Sequence, residues 1–126
     1  MLREQINAAL MQHATDLQII PVATGVRVFH RINGVRRLVG ERNSEFLKTV
    51  FAQVKDCAAM DLAECRKEQL GEFEHVIGDV TTYVCAAIHL DVAGREVLTL
   101  SFLSRPFIAA AVLERAYPMH ASSYQS

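Results

Sequence analysis

From Val26 to Ile32 the chain alternates with period two. Val26, Val28, His30 and Ile32 fall on one face, and Arg27, Phe29 and Arg31 on the other. This is the pattern of a half-buried strand. Upstream, Leu17 and Ile19 sit two apart and Pro21 follows. Proline has no N–H to donate, so ladder pairing stops on one side there. Downstream, Asn33-Gly34 separates Ile32 from Val35, a strong hairpin signal because both central residues of a type I′ turn need positive φ. A two-residue loop pairs Ile32 with Val35 and sets Arg31 opposite Arg36. The stretch from Asp16 to Leu38 therefore predicts two strands and the start of a third, ended by Gly40.

Helical spacing flanks this hairpin. Leu2, Ile6, Ala9, Leu10 and His13 make a stripe that predicts a helix over residues 2–14. Phe46, Leu47, Val50, Phe51, Val54, Cys57 and Ala58 predict a longer one over 44–60, with Asn43 as N-cap and Glu45 in its first turn. So wide an apolar face must cover a sheet. Residues 61–71 are polar and irregular. Three strands follow over about 72–77, 81–90 and 95–103, divided by turns at Gly78-Asp79 and Asp91-Val92-Ala93-Gly94. Ser104 and Pro106 open a last helix over about 105–117, and Pro118 ends it before a frayed tail, 118–126. The order α-β-β-α-β-β-β-α predicts an α+β fold: an antiparallel sheet of about five strands with helices packed mainly on one face. The chain of 126 residues makes one domain, its core over about 2–103.

Composition narrows the function classes. Hydrophobic residues make up 51%, which excludes a disordered tail. Basic and acidic residues balance, 13 against 14, so no overall field recruits nucleic acid or an anionic membrane. No apolar run approaches the ~20 residues of a membrane span. The opening MLREQINAALMQ is too charged for a signal peptide. Three cysteines (Cys57, Cys65 and Cys85) form no Cys-x-x-Cys and leave one over, as expected of reduced thiols in the cytoplasm.

Candidate chemistry is sparse. Arg27, Arg31, Arg36 and Arg37 place four guanidinium groups within eleven residues. Arg31 facing Arg36 costs stability unless something answers the charge. That answer is either a Glu or Asp from a neighbouring strand, or solvent, or else an acidic partner surface or a bound anion. No two of the five histidines share a metal-binding helix spacing. Cys85 and His89 share a strand face but lie about 13 Å apart at ~3.3 Å per residue, so no metal or cofactor is expected. Cys65, in the polar stretch beside Arg66 and Lys67, has no histidine tied to it by sequence, and no catalytic residue is assigned.

Taken together, these segments carry a family resemblance. ATDLQIIP followed by GVRVFHRINGV resembles the opening of the N-terminal domain of the secretion ATPases, the hexameric motors of bacterial type II secretion and type IV pili. That family's pattern is A-S-D-I-H-I-E-P, then G-V-R-V-R-x-R-I-D-G-V. MDLAECRKEQLGEF is similar to its M-D-I-A-E-R-R-x-P-Q-D-G-R-I, and GREVLTLSFL to its G-E-K-V-V-L-R-L-L. The likeness covers about residues 2–103 in one consistent order and implies a PAS-like fold. In the family a RecA-like motor with a Walker A loop follows this domain. No G-x-x-x-x-G-K-[ST] occurs in this sequence, so the resemblance implies no ATP hydrolysis by this chain.

The family's domain also donates arginines towards the motor's nucleotide, from the R-R-x-P-Q-D-G-R loop and an R-V-S-T strand. Here the loop keeps Arg66 while Cys65 and Glu72 hold the flanking positions, and Cys85 aligns with the strand arginine. Glu72 would repel a phosphate. The expectation is a non-catalytic, cytoplasmic protein-interaction or regulatory module without a cofactor. Its partner would be a component of a secretion or pilus apparatus, such as a RecA-like ATPase, or a second copy docked through the last helix. Arg27, Arg31, Arg36 and Arg66 are the candidate ligand- or partner-binding residues. The alternative is a small-ligand-sensing PAS-like domain with a pocket beneath a helix.

Overall fold

A computed structural model describes residues 1–104. The elements run α1 (Leu2–Met11), β1 (Asp16–Val22), β2 (Gly25–Ile32), β3 (Val35–Arg42), α2 (Ser44–Cys57), β4 (Gln69–Ile77), β5 (Val80–Leu90) and β6 (Glu96–Leu103). Each helix precedes a three-stranded meander. The meanders join through β1 and β6 into one antiparallel sheet of order β3-β2-β1-β6-β5-β4. The fold is α+β.

Both helices lie on the same face. Leu17, Ile19, Val26 and Val28 from one meander and Val84, Ala86, Ile88, Leu98 and Leu100 from the other meet Leu2, Ile6 and Ala9 of α1 and Phe46, Val50, Phe51 and Val54 of α2. Ile19, Val50, Val54 and Leu98 are each 0% exposed, so the space between α2 and the sheet is filled. Burying one such aliphatic side chain contributes about 1.5–3 kcal/mol.

The hairpin register matches the expectation. Asn33 (φ 53°) and Gly34 (φ 79°) both take positive φ, Ile32 pairs with Val35, and Arg31 pairs with Arg36. Pro21 pairs with Val26 on the β2 side, while the β1–β6 ladder ends at Ile19. The strand count is corrected from about five to six: the third strand is complete and continues through Gly40 to Arg42. A bulge between Val28 and Phe29 takes up Val39, which lets Gly40 pair with Val28 and carries the strand on.

Helix ends also differ. The helix predicted over 2–14 stops at Met11, and His13 is exposed rather than part of the buried stripe. His13 takes φ 60°, while Ala14 N–H donates to Ala9 (3.0 Å) and His13 N–H to Leu10 (3.0 Å), a Schellman ending. The helix predicted over 44–60 closes the same way. Ala59 at φ 56° follows the Ala58 cap, and Met60 N–H donates to the Lys55 carbonyl at 2.7 Å. The Asn43 cap holds, its side chain accepting from Phe46 N–H at 2.9 Å.

Cys57, assigned to the apolar face, is exposed, and Lys55 is buried instead. Its Nζ donates to the Glu64 carbonyl (2.6 Å) and meets Glu96 at 2.9 Å, tying α2 to the following loop and to β6. The fourth strand begins at Gln69, inside the stretch expected to be irregular. Gly71 lies beneath the end of α2, where a Cβ would stand 2.6 Å from the Ala58 carbonyl oxygen. The last helix, expected over 105–117, lies outside the described residues.

Candidate functional site

The face of the sheet turned away from α1 and α2 carries the residues singled out by sequence. Among the described residues no helix packs on it, because the buried side chains of both helices belong to the single core on the other side. Cross-strand register lays six residues in one transverse row: Arg36 of β3, Arg31 of β2, Asp16 of β1, Ser101 of β6, Cys85 of β5 and Glu72 of β4. The next row reads Leu38, Phe29, Gln18, Thr99, Ala87 and Leu70. A polar row thus lies beside a mostly apolar one. It begins with two guanidinium groups and ends with a carboxylate.

At the basic end the side chains close around a hollow of about 210 Å³, lined by Asp16, Gln18, Phe29, Arg31, Arg36 and Thr99. Arg36 Nη1 donates to Gln18 Oε1 at 3.2 Å, and its guanidinium carbon stands 4.3 Å from the centre of the Phe29 ring. Gln18 Nε2 donates in turn to Thr99 Oγ1 at 3.2 Å. Arg31 Nη1 donates to the Gly34 carbonyl at 3.0 Å, while its Nε stays 4.0 Å from Asp16 Oδ2. Asp16 accepts hydroxyl bonds from Thr15 on Oδ2 and from Ser101 on Oδ1, both at 2.7 Å.

Of the four arginines expected to bind a partner, the fold brings Arg31 and Arg36 together. Arg27 shares their face but sits farther along β2, where Glu41 answers it at 3.3 Å. Arg66 lies in the exposed loop before β4, at the opposite edge of the sheet from β3, and its backbone N–H donates to Glu64 Oε2 at 2.7 Å. Asp16, Gln18, Phe29 and Thr99 were missed as site residues. Gln18 and Thr99 are 81 positions apart in the chain, and register alone assembles the four.

At the far end of the row Cys85 pairs with Glu72. Burial, and then the neighbouring Glu72 carboxylate, push the Cys85 thiol above its ordinary range. Elsewhere on the molecule, a cleft of about 600 Å³ opens between the start of α2 and the β1–β2 turn, with Pro21, Leu47, Lys48 and Phe51 on its walls. Among the described residues no three His, Cys, Asp or Glu side chains converge as a metal site, and no helix is long and apolar enough to cross a membrane. No protein-family model matches this chain, and no curated protein matches it.

Proposed function

We propose that the chain is a non-catalytic protein-interaction or regulatory module that docks its partner on the helix-free face of the sheet. The observation that carries this reading is the pair of rows across that face: arginines at one end, then Asp16 and Gln18, and the small side chains Ser101, Thr99, Cys85 and Ala87 beyond them. Such a surface offers flat, strand-ordered contacts and steers an acidic partner by charge. The resemblance to the N-terminal domain of secretion ATPases supports a partner from a secretion or pilus apparatus, a RecA-like motor foremost, and a PAS-like ancestry for the sheet. No phosphate cradle occurs in the sequence, and Glu72 stands where the family presents an arginine, which supports a role without nucleotide chemistry.

The test is co-purification of the chain with an isolated RecA-like secretion motor. Ala87→Arg, in the middle of the open face, is expected to abolish the complex, whereas Arg66→Glu, off that face, leaves it intact. Complex formation indifferent to Ala87→Arg, or ATP turnover that scales with the purified chain, overturns the reading. A second reading, small-ligand sensing, is favoured by the 600 Å³ cleft beside Phe51, whose volume suits a small molecule. It moves the expected pocket from beneath a helix, where the core is filled, to the helix's starting end.

A further inference from the structure

Resting on that docking reading, we propose that the hollow between Arg31 and Arg36 is a carboxylate subsite, receiving one Asp or Glu side chain or a terminal carboxylate of the partner protein. The argument begins with the turn. A two-residue loop makes its flanking pair, Ile32 and Val35, the hydrogen-bonded one. The next pair, Arg31 and Arg36, is then the closer, non-hydrogen-bonded kind, with Cα atoms about 4.5 Å apart. Two like charges are thus fixed where side chains approach most nearly, and Asn33-Gly34 leaves the register no freedom to part them.

The protein answers these two charges with one carboxylate, Asp16 at the 4.0 Å limit of an ion pair with Arg31, and otherwise with neutral groups. Arg31 spends one N–H on the Gly34 carbonyl and Arg36 one on the Gln18 amide. Each guanidinium has five N–H donors in a planar fork, so most remain for a ligand. Asp16 offsets one of the two charges without occupying the guanidinium donors. At 4.0 Å from Arg31 Nε, Asp16 is beyond hydrogen-bond reach, and two hydroxyls hold its oxygens. Phe29 forms an apolar wall against which Arg36 is stacked, which limits its freedom and orients its donors.

Charge selects the ligand. Two guanidinium groups and one carboxylate leave the hollow with a net charge of about +1, which a carboxylate neutralises. A phosphate monoester, at about −1.5 to −2 near neutral pH, would bring excess charge against Asp16. The predicted occupant is therefore a monoanion with two oxygens, matched to guanidinium forks.

The experiment uses the full chain, isotope-labelled, with sodium acetate as the probe and sodium chloride at equal ionic strength as the control. The Nε–Hε resonances of Arg31 and Arg36 are expected to shift saturably with acetate while those of Arg27 and Arg66 stay still. Arg36→Gln and Arg36→Lys should each weaken acetate at least about tenfold, the lysine because it lacks the fork. A short peptide containing one glutamate should bind at least about tenfold tighter than its glutamine counterpart. Unsaturable shifts, equal shifts at all four arginines, or phosphate binding tighter than acetate would overturn the assignment. Ala87→Arg separates the two readings, since it should block docking and leave the acetate titration unchanged. If acetate binds normally but Arg36→Gln does not weaken the motor complex, the subsite's assignment to the partner fails while the docking face stands.

Discussion

The two faces of this sheet are built from the same strands by opposite rules. On the helix side, β1, β2, β5 and β6 supply the buried apolar cluster, Phe73 of β4 packs against it, and the buried polar residues among those described are His30, Lys55 and His75. On the other side, neutral, charged and apolar residues alternate by row, and several large side chains stay in contact with solvent. The difference teaches where stability is held and where side chains are under less demand from packing. A face that must exclude water tolerates little change of volume. The open face has no such demand, so two arginines can be set opposite one another at a cost of a few tenths of a kcal/mol to about 1 kcal/mol.

The comparison is broken most severely at Lys55. Its side chain is 6% exposed and its partner Glu96 is 16% exposed, so the pair lies on the covered side with little water to screen it. Lys55→Met leaves the Glu96 carboxylate without its cation and frees the Glu64 carbonyl, unlatching the 58–68 loop. The expected loss is about 3–5 kcal/mol by chemical denaturation. The double variant Lys55→Met, Glu96→Gln should recover part of that loss, because it removes the stranded charge.

A gentler break compares neighbours on one strand. Leu98 of β6 is 0% exposed between Ile19 and Ile88, and Thr99 beside it points to the other face. Leu98→Ala should cost about 2–5 kcal/mol through the cavity it leaves. Thr99→Val should change stability by less than about 1 kcal/mol, the span of strand preferences. Equal effects at the two positions would mean that both faces are core.

How much of this was legible beforehand follows the range of each interaction. Local rules gave the hairpin, because Asn33-Gly34 dictates its own register, and they gave the Asn43 cap. Periodicity located the apolar faces of both helices. The misses are non-local. Nothing within a few residues of Lys55 announces Glu96, forty-one positions away, as its buried partner. The strand at Gln69 to Gly71 reads as polar loop because its apolar contact is the far end of α2. Gly40 reads as a stop, but the bulge beside it is a property of the pairing with β2. The arginine pair was legible and its surroundings were not, since Asp16, Gln18 and Thr99 reach it only through the order in which strands assemble.

Acid sharpens the contrast between the faces without any substitution. His30 (3% exposed) and His75 (5% exposed) are on the covered side, on β2 and β4. Burial lowers the pKa of both below 6.5, and Arg3 lowers that of His75 further. His30 Nδ1 has no hydrogen-bond partner among the described residues, while His75 Nε2 meets Asn7 Oδ1 at 2.7 Å, pinning α1 to an edge strand. A histidine held below its ordinary pKa binds fewer protons folded than unfolded, so stability rises with pH across the gap between the two values. The contribution is complete above about pH 6.5 and is lost as pH falls from there towards the folded pKa values. Denaturation midpoints should therefore be flat from pH 8 to about 7 and decline below about 6.5, where exposed carboxylates are still ionised. His75→Gln keeps a donor for Asn7 and removes the titration, so its midpoint should fall less steeply than that of the unmodified chain over the same interval. Acetate affinity at Arg31 and Arg36, on the other face, should hold nearly constant through that window while the chain stays folded. A parallel fall in both would show that the two faces are coupled and that the division between core and docking surface is drawn in the wrong place.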